Sequence, residues 1–276
     1  MNAKKIKKFG FVLKPKSKEA NEVFKRLEKL LLKLGASVKL FSSAEKITKD
    51  IELVVILGGD GSLLAVARKV ASFGIPILGV HLGQLGFIME TTVDEVEARL
   101  KEIVKGNFGL ESRVMLEAEL RRGKKSLGKE IVLNDVVVTK GALARIFELN
   151  VLIDGELVGG LRGDGVIVAT PTGSTAYSLS AGGPVIHPRT DSVVVTPICP
   201  HMLTQRPLVV PNNSNIKLQI LNKPADVVLT LDGQIGWEMQ GSDEVVIKRA
   251  KFPLYLVKSP IRTYYNILKD KLKLGH

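Results

Sequence analysis

The chain is poor in several residue types. Among its 276 residues there is one cysteine, Cys199, and one tryptophan, Trp237. A single thiol excludes an internal disulfide, leaves no thiolate set for a structural zinc site, and fits a reducing compartment. Aromatic residues make up only 5%, too few for a stacking platform on single-stranded nucleic acid. No apolar run approaches the roughly 20 residues that span a bilayer. Residues 1–8 are basic, as the start of a secretory signal is, but the apolar stretch 9–13 is too short to serve as its hydrophobic region. The expectation is a cytoplasmic protein with no membrane and no nucleic-acid partner.

What is abundant is positive charge and apolar patterning. Lys and Arg number 40 against 28 Asp and Glu, a net charge of +12, which favours an anionic small-molecule ligand or a polyanion. The basic residues are dispersed, so most of this charge reads as solvated surface. Hydrophobic residues reach 45%, and the length suits two domains, each with its own core.

Residues 10–13 read as a strand. Ser17 then caps a helix with Ala20, Val23, Phe24, Leu27, Leu30, Leu31 and Leu34 at helical spacing, and Gly35 stops it. The runs 38–41, 53–57 and 75–80 suit buried parallel strands, with a helical stretch at 63–73 and another at 93–104. From Arg113 the texture changes to strands and turns: 114–120, 131–139, 147–153 with the Asp154-Gly155 hairpin signal, 193–196, 208–210, 216–221, 227–231 and 245–247. Residues 261–272 are helical again. The expected fold class is α/β plus all-β. An N-terminal Rossmann-like α/β domain (1–105) takes back a C-terminal segment (256–276), and residues 106–255 form a β-sandwich-like domain.

Gly58-Gly59-Asp60-Gly61-Ser62 follows a buried strand and opens a helix, where backbone N–H groups and the helix dipole can hold a phosphate. A carboxylate at such a place is costly unless it binds a metal or accepts a proton. The loop is neither a P-loop nor a Gly-x-Gly-x-x-Gly fingerprint. The plainer reading is a tight turn with Asp60 exposed. His81, His187 and His201 stand apart from other ligands at metal spacing and read as structural. Cys199 suits packing or a loop between prolines, and Trp237 suits cover over apolar surface.

Three further motifs follow in order: Leu133-Asn134-Asp135, the segment Thr170-Pro171-Thr172-Gly173-Ser174-Thr175-Ala176-Tyr177, and Leu231-Asp232-Gly233-Gln234. Together with the glycine-aspartate loop they resemble the NAD kinases over almost the whole chain. The first loop alone is shared with lipid kinases and phosphofructokinases; the threonine-rich segment is the specific part. The resemblance implies a phosphotransferase that moves the terminal phosphoryl group of ATP, or of polyphosphate, to the adenosine ribose 2′-hydroxyl of NAD with a divalent metal, magnesium. It implies Asp60 as the base, with Gly58, Gly59, Gly61 and Ser62 around the phosphates. Asn134 and Asp135 would bind the adenosine part, while Thr172, Thr175, Ala176, Tyr177 and Ser180 line the dinucleotide site. Arg162 and Asp164, in Arg162-Gly163-Asp164-Gly165, would face the nicotinamide half, often across a subunit boundary. Asp232 and Gln234 would lie in a loop near the phosphates.

A homodimer or homotetramer is implied as well. Departures from the family pattern are Asp135, where many relatives carry glutamate, Ser62, where threonine is usual, and Ile88, where some carry an aromatic residue. Turn geometry is the competing reading for Asn134-Asp135, Asp232 and the glycines at 173, 182 and 183. A lipid or sugar kinase sharing the first loop, a non-catalytic NADP-sensing module and, last, a basic nucleic-acid binder are the rival functions.

Overall fold

The computed structural model describes residues 5–83, 86–141, 147–202, 204–221 and 226–273; residues 1–4 of the basic start lie outside them. The chain divides into two units, Met1–Ser112 with Phe252–His276, and Arg113–Lys251. Among the described residues no helix is long and apolar enough to cross a membrane.

The first unit is built on β1 (Lys8–Leu13), β2 (Ser37–Phe41), β3 (Leu53–Gly58), β4 (Ile77–His81), β5 (Thr91–Thr92) and β6 (Leu110–Arg113). Its sheet has the order β2-β1-β3-β4, then the returning strand Leu254–Val257, then β6, with β5 beside β4. The pairings of β1 with β2 and β3, of β3 with β4, and of β4 with the returning strand are parallel. Strand β3 is buried along its whole length, which is why its sequence is a continuous apolar run and not an alternation. Helix α1 (Lys18–Lys33) buries Ala20, Val23, Phe24, Leu27 and Leu31. Ser17 Oγ accepts the Ala20 N–H at 3.1 Å, satisfying one of the helix's free donors. Gly35, at φ 74°, lets the chain leave it.

Helix α2 (Asp60–Val70) starts three residues before the periodic run that announces it, so Asp60 lies in its first turn. Helix α3 (Val96–Lys105) begins at Val96 and not at residue 93, because Glu95 Oε2 accepts the Thr92 N–H at 3.1 Å and holds the preceding turn. Side chains of α1 and α3 share one apolar core with β1, β3 and β4.

Among the described residues the second unit is all-β apart from two short helical segments, Gly173–Thr175 and Tyr177–Ser180. Its strands are β7 (Leu116–Arg122), β8 (Lys125–Val132), β9 (Asp135–Lys140), β10 (Phe147–Ile153), β11 (Glu156–Gly163), β12 (Gly165–Ala169), β13 (Ser192–Ile198), β14 (Leu208–Pro211), β15 (Ile216–Ile220), β16 (Val227–Leu231), β17 (Ile235–Met239) and β18 (Asp243–Arg249). They form two six-stranded sheets, β11-β10-β15-β18-β7-β8 and β14-β13-β12-β9-β16-β17. Residues of both, among them Ala118, Leu149, Leu218 and Ile247 from one and Val136, Val138, Val166 and Leu229 from the other, make one core, so the unit is a sandwich. Trp237 packs against that core.

The run 131–139 is not a single strand. It breaks at Leu133-Asn134, where the chain leaves one sheet as β8 and enters the other as β9. Both halves are apolar because both feed the same core, and the change of sheet leaves no mark in the pattern. Between β12 and β13 lies the short helix α4 (Tyr177–Ser180). Cys199 is exposed, with φ 45°, so it is a loop residue and not a packing one. After the returning strand, β19, helix α5 (Tyr264–Leu272) carries a capping box of Thr263 and Asn266.

Candidate active site

In the first unit, β3 ends at Gly58 and α2 begins at Asp60. A Cβ on Gly58 would stand 2.8 Å from Ser62 Oγ, so the glycine is what allows the hydroxyl to fold over the strand end. The Asp60 carboxylate is turned onto the segment 87–89. Oδ2 accepts the N–H groups of Phe87 at 3.0 Å and Ile88 at 3.4 Å, and Oδ1 accepts that of Met89 at 3.1 Å. A side chain on Gly86 would collide with the same carboxylate. Peptide dipoles thus hold the negative charge that looked awkward at this place. Each carboxylate oxygen has two lone pairs, so Oδ1, with one donor among the described residues, keeps an acceptor position for a hydroxyl proton.

His81 ends β4 and pairs in register with Gly58. Its Nδ1 is buried without a hydrogen-bond partner among the described residues, and its Nε2 stands 3.9 Å from the position of a Cβ on Gly59. Spacing along the chain gives His81 no partner in the glycine turn; strand register does.

In the second unit a cavity of about 380 Å³ is lined by Asn134, Asp135, Ala176, Tyr177, Asp232 and Gly233, with Val137, Thr139 and Thr230 as further wall. Three motifs far apart in sequence meet here. The Asp232 carboxylate accepts N–H groups from Leu133 at 3.1 Å, Asn134 at 2.7 Å and Asp135 at 3.3 Å, while Asp232 N donates to Asp135 O at 3.0 Å. Asp232 therefore clamps the corner at which the chain changes sheets. Its φ of 51°, unusual outside glycine, is held by these bonds, and Gly233 follows at φ 64°.

The threonine-rich segment docks on the same corner. Thr170 N donates to Asn134 O at 2.8 Å and Thr170 Oγ1 to Leu133 O at 2.5 Å. A Cβ on Gly173 would collide with the Asn134 backbone, so glycine is needed there for close approach. Gly173→Ala is expected to destabilise the protein by roughly 1–3 kcal/mol. Denaturant titration checks it; an unchanged corner would leave the stability at wild type.

Asp135 is only 4% exposed. Burial first, and the neighbouring Asp232 charge second, push its pKa up to about 7. Near neutral pH it is therefore a hydrogen-bond donor as well as an acceptor. Asn134 Oδ1 and Thr172 Oγ1 are buried without partners among the described residues. Buried polar atoms normally have partners, and here a bound ligand or water would supply them.

The other second-unit residues implied by the resemblance are not among the residues lining the cavity. Thr172 is buried, Thr175 Oγ1 donates to Thr172 O at 3.2 Å, and Ser180 and Gln234 are exposed. Asp164 lies 3.5 Å from Lys140 Nζ, and its carbonyl accepts the hydroxyl of the cavity residue Thr139 at 3.0 Å. Arg162 lies 3.7 Å from Glu148. Val137, Thr139 and Thr230 were missed from the sequence, although alternation marks them. Val137 and Thr139 share one face of β9, and Thr230 is the cross-strand partner of Val137.

Residues 133–259 match the ATP-NAD kinase C-terminal domain and residues 39–108 the ATP-NAD kinase N-terminal domain. The NAD kinase of Geotalea daltonii is 47% identical over 231 residues, 84% of this chain and 81% of that protein. The chain belongs to the NAD kinase family. The family's enzyme from Aquifex aeolicus is 40% identical over 264 residues, 94% of this chain and 96% of that one. Yeast NADH kinase complexed with NADH superposes with a TM-score of 0.87 at 26% identity, covering 98% of this chain and 89% of the other. An NAD kinase from Archaeoglobus fulgidus in complex with ATP gives 0.79 at 27% identity, covering 97% and 100%. As a family member the protein is an enzyme, a phosphotransferase.

Proposed function

We propose that the protein transfers the terminal phosphoryl group of ATP to the 2′-hydroxyl of the adenosine ribose of NAD, giving NADP and ADP. The observation that carries this reading is the meeting of Asn134-Asp135, Ala176-Tyr177 and Asp232-Gly233 on one cavity, an economical arrangement for a dinucleotide. The ATP and NADH held by the two similar structures support the choice of donor and acceptor.

In this mechanism the ribose 2′-oxygen attacks the terminal phosphorus, and the bond from that phosphorus to the bridging oxygen of ADP breaks. The 2′-hydroxyl proton passes to Asp60, at the free acceptor position of Oδ1. Backbone N–H groups at Gly59, Gly61 and Ser62 stabilise phosphate oxygens beyond the end of β3, with Gly58 giving the turn its room. Asn134 presents its amide to the adenine edge and Asp135 its carboxyl to a ribose hydroxyl. Tyr177, 46% exposed, sets its ring at the cavity mouth beside a base. Thr172, Thr175 and Ser180 line the approach, Arg162 and Asp164 serve the nicotinamide half, and Gln234 lies toward the phosphates.

Among the described residues no group of three or more His, Cys, Asp or Glu could hold a metal ion. Magnesium would enter with the donor, since it is commonly bound through one or two carboxylates and substrate phosphate oxygens. It neutralises phosphate charge when bound. Polyphosphate is a second donor, the cytoplasm the compartment, and a homodimer or homotetramer the assembly of this proposal.

Incubation of the purified protein with NAD, ATP and magnesium is expected to yield NADP by mass spectrometry; unconverted NAD under those conditions would refute the reading. Asp135→Ala is expected to raise KM for NAD about tenfold, the size of a lost hydrogen bond to a polar partner, with KM for ATP unmoved. Steady-state kinetics in each substrate decides it.

A further inference from the structure

The first unit contains another cavity, of about 500 Å³, between α3 and the segment that follows β19. Its described lining includes Arg99, Asn107, Phe108, Lys258, Ile261 and Arg262, and no carboxylate. It shares no lining residue with the glycine-aspartate turn. The wall is rigidly built: Arg262 forms a two-point pair with Glu95, at 2.6 Å through each arm, and donates to Glu90 O at 2.9 Å, while Ser259 N donates to Glu90 Oε2 at 2.9 Å. Arg262 is thereby neutralised and structural.

Arg99 is different. Its Nη2 donates to Lys258 O at 2.7 Å, and its Nε is buried without a partner among the described residues. Glu102, whose charge acts on Arg99, is itself engaged by Lys105 Nζ at 2.8 Å and Asn107 Nδ2 at 2.9 Å. Lys258 is exposed and makes no ion pair among the described residues. A guanidinium with donors to spare, beside a free ammonium, fits an oxyanion in a planar two-point geometry. Phe108, Pro260 and Ile261 add an apolar surface on the same cavity.

We propose that this cavity binds a small oxyanion, a phosphate or a carboxylate carrying a short apolar body, through Arg99 and Lys258. Both residues line the cavity, so the outer guanidinium N–H groups and the ammonium are the donors such a ligand meets. The site is independent of the phosphoryl-transfer reading, and its test uses neither NAD nor ATP.

The test titrates inorganic phosphate and, separately, succinate into the full-length protein at low ionic strength, following the Arg99 Nε–H resonance and the heat of binding. The expected result is a saturable shift of that resonance with at least one probe, the pair of arms telling phosphate from carboxylate. Arg99→Gln should weaken binding by about tenfold, the loss of a charge-assisted hydrogen bond. Lys258→Gln, which keeps the carbonyl that Arg99 uses and so leaves the fold alone, should weaken it by about threefold. Lys16→Gln, in a separate lysine-lined cavity of the same unit, should change nothing at Arg99. An Arg99 resonance unmoved by both probes, or an undiminished affinity in Lys258→Gln, would overturn the proposal.

Discussion

Replacing Asp60 by asparagine is expected to lower kcat by at least about a hundredfold, the lower end of what a general base contributes, while NAD affinity is kept. An amide cannot take up the 2′-hydroxyl proton. The structure adds a second consequence. The carboxylate serves three backbone N–H groups in the segment 87–89, and asparagine has one acceptor oxygen for them. Part of that segment loses its partner, which costs on the order of 1–3 kcal/mol and lowers the melting temperature. The two effects separate experimentally. Loss of the base moves kcat, whereas loss of the clamp moves stability and the KM for ATP. A variant that melts early yet keeps wild-type kcat would reduce Asp60 to a clamp.

The second large effect concerns Asp135 and is read as stability against pH. Its folded pKa is raised from 3.8 to about 7 by burial and by Asp232. The folded protein therefore keeps a proton that the unfolded chain has already released. The sign follows from linkage: where the native state binds more protons, stability falls as pH rises. The contribution is fully present below about pH 4, declines through the window up to about 7, and is gone above it. The raised pKa corresponds to roughly 4 kcal/mol as an order of magnitude. Asp135→Asn carries no titrating proton, so it is expected to flatten this slope, matching wild type near pH 4 and exceeding it at pH 8 by a few kcal/mol. Urea unfolding across that range is the measurement; parallel curves for both proteins would show that Asp135 titrates normally.

Much of the first unit was legible because its signals are local. The cap at Ser17, the helical spacing of α1 and the unbroken apolar strands each depend on neighbours a few residues away. The glycine-aspartate loop could be placed on a strand-to-helix junction for the same reason. What could not be read there was the destination of the Asp60 side chain, because its partners lie 27–29 residues further on. His81 is a similar case, set beside Gly58 by strand pairing alone.

In the second unit β7, β15, β16 and β18 were visible by their alternation, but β11 and β17 were not. They are edge strands, with sequences ELVGGLRG and IGWEM. An edge needs less apolar surface, so glycine and charge blur the pattern. The switch from β8 to β9 was hidden for the opposite reason, since both strands are apolar toward one core.

By itself the amino-acid sequence determined which segments are strands and helices with buried faces, and which loops carry glycine, aspartate and threonine suited to phosphate and ribose. Only the tertiary structure decided that Asp232 is the clamp of the Asn134-Asp135 corner, that Asp135 is driven toward neutrality, and that Thr139 and Thr230 belong to the cavity wall while Ser180 and Gln234 do not. The physical reason is that burial, carboxylate proximity and cavity lining are properties of residues brought together across about 100 positions of chain, and no local pattern encodes a distance of that kind.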